Sequence, residues 1–127
     1  MSRMWTDRVI TGALLVVAAI HLVPLTGFFG AARLEALYGI SVSDANLAVL
    51  MRHRAVLFGI LGAFFAYAAF VPAWQPAAFV AALVSIASFF YLAFVTEGAG
   101  DAIRKIVVGD IVAAVALFVA IGLYVTK

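Results

Sequence analysis

The chain has 127 residues, of which 68% are hydrophobic and 11% are charged. A soluble domain has roughly 45–50% apolar and about 25% charged residues, so this chain cannot cover a globular surface with polar side chains. The composition excludes a soluble Rossmann-type enzyme, a disordered chain and a nucleic-acid-binding protein, and it indicates an integral membrane protein. The absence of cysteine excludes disulfides, thiolate metal sites and cysteine nucleophiles.

Four segments are apolar and long enough to cross the hydrocarbon core of a bilayer as helices, which takes about 20 residues. They are residues 5–25, 45–71, 75–96 and 102–126. The first has the basic start of a signal peptide, but its apolar run exceeds the usual length of about 7–15 residues, so we expect it to be retained. The sequence therefore predicts an all-α protein, with residues 1–127 forming a single transmembrane domain, an integral membrane four-helix bundle.

The connections between these spans differ in length. The segment Pro72–Pro76 is predicted to be a tight turn because proline stops a helix, and Asp101 is the expected N-cap of the fourth span. The first connection is longer, and within it Ala31–Tyr38 has a helical pattern that Gly39 is placed to end. We expect this segment to be a short amphipathic helix at the membrane interface, between the first and second spans, with a lid as the alternative.

Alternation of the four spans places Trp5, Trp74 and Tyr124 at one membrane face, as an interfacial aromatic belt requires. Three basic residues lie on the side of the termini and five on the other side. The excess of basic residues favours a cytoplasmic location for the side opposite the termini, whereas the basic residues at the start of the first span favour a cytoplasmic location for the termini. The orientation in the membrane therefore stays open.

Ionisable side chains collect toward the face opposite the termini. His21 lies near the end of the first span, Arg52 and His53 near the start of the second, and Asp110 in the fourth. At about 1.5 Å per residue, His21 and Asp110 each lie roughly 6 Å inside their helix ends, so they share a layer. A carboxylate in the membrane costs about 2.5–3.5 kcal/mol at the bilayer centre, so Asp110 needs a partner, and Arg52 or Arg104 is expected. We predict that His21, Arg52, His53 and Asp110 line a ligand-binding pocket.

The helical period of 3.6 residues assigns these side chains to faces. His21 shares a stripe with Leu14 and Ala18 and is expected to point into the bundle. The stripe that contains Arg52 consists of small residues: Gly59, Ala63 and Ala66. Small residues let transmembrane helices approach closely, which predicts a homo-oligomer. The stripe that contains Arg54 is bulky and typical of a lipid-facing surface: Phe58, Leu61 and Phe65. We therefore expect Arg54 and Lys105 to reach lipid headgroups.

Three stretches carry a resemblance to known proteins: Ala19-Ile-His-Leu-Val-Pro24, Leu37-Tyr-Gly39 and Met51-Arg-His-Arg-Ala-Val-Leu-Phe-Gly-Ile-Leu-Gly62. Over nearly its full length the chain resembles small bacterial inner-membrane proteins of a DoxX-like, four-helix kind. The resemblance implies a multi-pass protein of the bacterial inner (plasma) membrane with no settled chemistry. Similar chains are sometimes described as phosphopantetheine adenylyltransferase. This sequence does not support that activity, because neither His21 nor His53 stands in an HxGH-type motif.

These features predict a polar pocket near one leaflet that binds a lipid-like or quinone-like amphiphile, in a protein that acts as an accessory subunit. The main alternative is a structural or assembly protein in which the polar cluster holds the helices together. Two further alternatives are an oligomeric small-molecule or ion transporter and a haem protein with His21 and His53 as axial ligands. The chain contains no recognisable catalytic or metal motif, so the sequence favours a non-enzymatic role. No cofactor is expected unless the haem alternative holds. Membrane lipids are the expected partners.

Overall fold

The computed structural model describes residues 2–127, and these residues form five α-helices and no strand. The helices are α1 (Arg3–Leu22), α2 (Ala31–Tyr38), α3 (Ala45–Phe70), α4 (Gln75–Val95) and α5 (Asp101–Thr126). The four long helices are long and apolar enough to span a membrane, and α2 is the short one. The predicted all-α membrane bundle is confirmed, and the last three predicted spans agree with α3, α4 and α5 to within one residue at each end.

The backbone conformation of the connection between α1 and α3 depends on a proline and two glycines. Pro24 cannot donate a backbone hydrogen bond, and the chain continues past α1 as a 3-10 turn, Val23–Phe29. Gly30 and Gly39 have φ angles of 133° and 65°, which glycine adopts without a Cβ clash. The segment α2 lies between these two glycines, and the N–H of Gly39 closes it by donating to the carbonyl oxygen of Glu35 at 2.8 Å. The predicted end of this helix at Gly39 is confirmed.

The short helix α2 packs across the end of the bundle opposite the chain termini. On its inner face, Leu34 and Tyr38 are buried together with Val42. Met51 of α3 and Ile106 of α5 pack against this small cluster. The outer face of α2 is exposed, so the helix is amphipathic and its apolar side lies on protein.

The long helices form an up-and-down bundle in which α1 and α4 each pack against both α3 and α5. The largest fully buried side chains in its main core are Phe65, Ile10, Leu14, Leu117 and Val17. The helices α1 and α3 pack closely beside Gly62. A Cβ atom on Gly62 would lie only 3.1 Å from the backbone oxygen of Ala18. A glycine at this position therefore permits the contact on which the rest of the bundle is built.

The rotation of α3 differs from the prediction. Phe65 is fully buried and packs edge-on against His21, with the ring centroids 4.9 Å apart. The stripe that contains Arg54, Phe58 and Phe65 therefore faces the interior of the bundle and not the lipid. Arg52 is exposed, and Gly59 of its small-residue stripe lies against Leu25 of the same chain. Apolar residues occur on all sides of α3, so the sequence pattern does not define its buried face. Self-assembly through this stripe stays a prediction.

The helix ends are arranged largely as expected. Asp44 caps α3 by accepting a hydrogen bond from the N–H of Asn46 at 2.8 Å. Pro72–Trp74 forms a 3-10 turn, which confirms the predicted tight connection. The N-cap of α5 is Gly100, not Asp101 as predicted. The Asp101 carboxylate instead lies in the first helical turn, exposed and 4.0 Å from Arg104. The positive end of the helix dipole favours a carboxylate there as well.

At the end with the termini, a buried glutamine completes the hydrogen bonding of α3. The Gln75 side-chain amide donates to the carbonyl oxygens of Ala68 and Ala69, at 3.1 and 3.4 Å. The Thr11 hydroxyl also donates to Ala69, at 2.8 Å. The last carbonyl groups of a helix have no partners within the helix. The Ala68 oxygen also accepts from the N–H of Val71 at 3.1 Å, so Gln75 and Thr11 matter most for the Ala69 oxygen. The adjacent ion pair between Lys127 and Asp7, 3.0 Å long, joins α5 to α1.

Candidate functional site

A cavity of about 300 Å³ lies within the half of the bundle opposite the termini, and all five helices contribute to its lining. Most of its wall is apolar. Five polar or charged side chains line it: His21, Tyr38, Arg54, Lys105 and Asp110. Small-molecule sites have volumes of about 300–1,000 Å³ and combine apolar walls with a few polar groups. The cavity has both properties, at the lower end of that size range.

Gly109 of α5 provides part of the space. It lines the cavity directly beside Asp110, and a Cβ atom at this position would have no protein atom within 4 Å. Ala102, another small residue of α5, lines the same wall. The cavity therefore exists partly because α5 presents small side chains where a larger one would fit.

Arg54 is held between two aromatic rings inside the cavity. Its guanidinium carbon lies 4.5 Å from the ring centre of Phe58 and 5.0 Å from that of Tyr38. The guanidinium also donates a hydrogen bond to the Tyr38 hydroxyl. A guanidinium has five N–H donors, and within residues 2–127 the Tyr38 oxygen is its hydrogen-bond partner. Donors are therefore left for a ligand, in a side chain whose position is already fixed.

His21 is buried, with 3% of its surface exposed, and connects two helices. Its Nδ1 atom lies 2.9 Å from the carbonyl oxygen of Val17, and its Nε2 atom lies 2.9 Å from the hydroxyl oxygen of Ser85 in α4. A carbonyl oxygen only accepts, so Nδ1 donates the proton, and the geometry fits an Nε2 atom that accepts from Ser85. The Ser85 hydroxyl can donate to a neutral Nε2 atom or accept from a protonated one, so this hydrogen bond joins the two helices in either protonation state of the ring. The prediction that His21 points into the bundle is confirmed.

Asp110 is half-buried and lines the same cavity. Neither of its expected partners reaches it, because Arg104 lies beside Asp101 and Arg52 contacts Phe28. Within residues 2–127, no ion pair of 4.0 Å or less includes Asp110. Arg54 and Lys105 are the basic side chains that line the same cavity as Asp110.

Arg52 and His53 do not line the cavity. Arg52 is exposed, and its Nε donates to the carbonyl oxygen of Phe28 at 2.8 Å. His53 is also exposed. Residues two positions apart on a helix differ by about 200° in direction, so when Arg54 faces the interior, Arg52 faces outward. Of the four residues predicted to form the pocket, the structure brings together His21 and Asp110. It adds Arg54 and Lys105, which were expected at lipid headgroups.

The geometry does not fit a haem held by two histidines. Both ring nitrogens of His21 are already hydrogen-bonded inside the bundle, and His53 lies on the outer surface of α3. Within the part of the chain that the structure describes, no three His, Asp or Glu side chains come together as metal ligands. The side chains present are suited to hydrogen bonding and charge recognition.

Two residues of the site were missed as functional candidates. The sequence predicts Tyr38 only as the last residue of the amphipathic helix Ala31–Tyr38, and it predicts no functional role for Ser85. The position of Tyr38 four residues after Leu34, on the same helical face, was the available signal that it is buried. Nothing in the local sequence pairs Ser85 with His21, since these residues are 64 positions apart.

No family model matches this chain, and no curated protein or solved structure matches it either. The resemblance to DoxX-like proteins therefore stays a prediction. A function for the chain has to follow from the shape of the cavity and the charges that line it.

Proposed function

We propose that this protein binds an amphiphile, lipid-like or quinone-like, in the cavity between its five helices. The observation that carries the proposal is an apolar cavity of about 300 Å³, within helices able to span a membrane, into which Arg54, Lys105 and Asp110 converge. The oxygen-bearing head of the ligand lies beside these charges, and its tail lies along the apolar wall. The proposed location is the bacterial inner membrane, as the DoxX-like resemblance implies.

Arg54 is the main contact for the head. Hydrogen bonds from a charged donor are shorter and stronger than those between neutral groups. The rings of Tyr38 and Phe58 fix the guanidinium before a ligand arrives, which reduces the conformational entropy lost on binding. Lys105 lines the same cavity and supplies a second positive charge.

The packing of α4 supports a lateral path for the tail. All buried residues of this helix lie between Gln75 and Ile86. Beyond them the helix is more open: Phe89 lines the cavity, and Phe94 is 89% exposed. A tail that leaves the cavity beside this half of α4 passes directly into the lipid.

A structural role is the second candidate, and one observation favours it. Both nitrogens of His21 are used within the bundle, joining α1 to α4. If the other polar side chains act in the same way, the cluster holds helices together and the cavity stays without a ligand. The two functions differ in whether a discrete non-protein mass accompanies the purified protein.

Replacing Gly109 with leucine tests the binding function. A side chain at this position grows into the cavity without meeting a protein atom within 4 Å of its Cβ. Leucine also favours a helix over glycine by about 1 kcal/mol, so the fold should persist. We expect native mass spectrometry to find a bound non-protein mass on the wild-type protein and to find it lost from Gly109→Leu.

The matched control is Gly122→Leu. Gly122 lies on the same helix, has the same open surroundings and does not line the cavity. This variant should keep the bound mass. A wild-type protein that carries no such mass, and acquires none when incubated with oleate or decylubiquinone, would overturn the proposal. So would a bound mass retained equally by both variants.

A further inference from the structure

We infer that the ligand of this cavity is a single-chain amphiphile whose head carries one negative charge on oxygen, such as a long-chain carboxylate. The inference rests on the proposed function, because it names the chemical class of the ligand for the same site. Three features of the cavity carry it: its uncompensated charge, the hydrogen bonding of Arg54 and its volume.

The lining of the cavity has one positive charge without a counterpart. Arg54 and Lys105 are cations, and Asp110 is the one acid among the described lining residues. A neutral imidazole at His21 adds no charge and an imidazolium adds a further positive one, so the excess is at least one positive charge. The acids nearby in sequence are used elsewhere, since Glu35 accepts from the N–H of Val42 and Asp101 lies beside Arg104. This excess of positive charge along the lining favours an anionic head group over an uncharged one.

The present partner of Arg54 is a weak competitor for such a head. The guanidinium donates to the neutral hydroxyl of Tyr38. A carboxylate accepts stronger, charge-assisted hydrogen bonds than a hydroxyl and matches the planar fork of a guanidinium with two oxygens. A quinone carbonyl is uncharged and leaves the extra positive charge of the cavity in place. Charge and geometry thus favour an anion over a quinone.

The volume limits the ligand to one chain. A cavity of about 300 Å³ is at the lower end of the range of small-molecule sites, about 300–1,000 Å³. This space accommodates a small head and the first part of one hydrocarbon chain. The rest of that chain follows the lateral path beside α4, whereas a diacyl phospholipid has to place a glycerol backbone and the start of two chains in the same space. A single-chain amphiphile is therefore the expected occupant.

Oleate and methyl oleate provide the test, because they share one chain and differ in the charge of the head. The full-length protein is placed in phosphatidylcholine nanodiscs with either probe at matched mole fractions, and occupancy is measured by native mass spectrometry. We expect oleate to bind about tenfold more tightly than methyl oleate, as one charge-assisted hydrogen bond predicts. Lysophosphatidylglycerol, also a single-chain monoanion, distinguishes a phosphate head from a carboxylate.

Two substitutions should have opposite effects. Arg54→Gln should weaken oleate binding more than methyl oleate binding, so that the preference for oleate is lost. Asp110→Asn removes the negative charge that repels an anion, so it should tighten oleate binding several-fold. If Arg54→Gln does not fold, Lys105→Gln serves in its place, because it removes the other positive charge of the lining from an exposed position. Arg33→Gln is the control, since Arg33 is exposed at the same end and does not line the cavity.

The outcomes separate this inference from the proposed function. If methyl oleate and decylubiquinone bind as well as oleate and Gly109→Leu abolishes all three, the cavity is a binding site but its ligand is not selected as an anion. If Asp110→Asn weakens oleate binding, the charge argument is wrong. If none of the probes binds the wild-type protein, both the inference and the proposed function fail.

Discussion

Replacing Gly62 with valine is expected to separate α1 from α3 and to lower the free energy of unfolding by about 3 kcal/mol, near the upper end for overpacking. A Cβ atom at this position would lie 2.6 Å from Cγ of Leu22 and 3.1 Å from the backbone oxygen of Ala18. The Leu22 side chain can move, but the Ala18 oxygen moves only with the backbone of α1. The branched side chain of valine therefore forces the two helices apart.

Gly12→Val is the matched control for this substitution. Gly12 lies in the middle of α1, is exposed and has no protein atom within 4 Å of a built Cβ. Unfolding in mixed micelles titrated with sodium dodecyl sulfate should give a lower midpoint for Gly62→Val and a nearly unchanged midpoint for Gly12→Val. Equal midpoints for Gly62→Val and the wild-type protein would contradict the close packing of α1 and α3.

The same contact also positions the cavity. His21 follows Ala18 by three residues on α1, and its ring packs against Phe58 and Phe65 of α3, with centroids 5.8 and 4.9 Å away. The guanidinium of Arg54 in turn lies over the ring face of Phe58. A displacement of α3 relative to α1 therefore moves Arg54 away from the other charges of the cavity. We expect Gly62→Val to weaken ligand binding in addition to lowering stability.

The helices themselves could be predicted from the sequence because each signal is local. Long apolar runs define the spans, and Pro24, Pro72 and Gly39 interrupt the chain through their own backbone geometry. The amphipathic pattern of Ala31–Tyr38 likewise needs only eight consecutive residues. None of these predictions depends on how one helix is oriented against another.

The site could be predicted only in part because it depends on the rotation of each helix. His21 lies near the end of α1 on the same stripe as Leu14 and Ala18, so its direction could be predicted. On α3, three consecutive polar residues, Arg52, His53 and Arg54, cover about 200° of the helix surface. Which of them faces the interior is decided by the packing of Phe58 and Phe65 against α1. That information lies in tertiary contacts and is absent from the periodicity of α3.

Replacing His21 with leucine is expected to lower the free energy of unfolding by about 2 kcal/mol, a typical cost of disrupting a buried hydrogen-bonded group. His21 makes the side-chain hydrogen bond that joins α1 to α4 within residues 2–127, at 2.9 Å from Ser85. Leucine is of similar size but accepts no hydrogen bond from the Ser85 hydroxyl. The loss falls on α4, which has no buried residue after Ile86 to hold its C-terminal part in place.

A double-mutant cycle with Ser85→Ala separates the hydrogen bond from the packing of the ring. Each single variant should lose the bond, and the double variant should be about 1 kcal/mol more stable than additivity predicts, in the range measured for hydrogen bonds between membrane helices. Ser88→Ala is the control, because the Ser88 hydroxyl donates to a carbonyl oxygen of its own helix at 3.0 Å. Strict additivity of His21→Leu and Ser85→Ala would show that the contact contributes nothing.

The same variant assigns separate roles within the polar cluster. If His21→Leu is less stable but retains the bound mass, His21 connects helices, and the charges of Arg54, Lys105 and Asp110 are sufficient to hold the ligand. If it loses stability and ligand together while Gly122→Leu keeps both, the hydrogen bond to Ser85 also sets the shape of the cavity by holding α4 against it. In both cases the structural and binding functions belong to one cluster of polar side chains. Polar groups buried in a membrane need hydrogen-bond partners. At this site, atoms of the protein and atoms of the ligand can both be those partners.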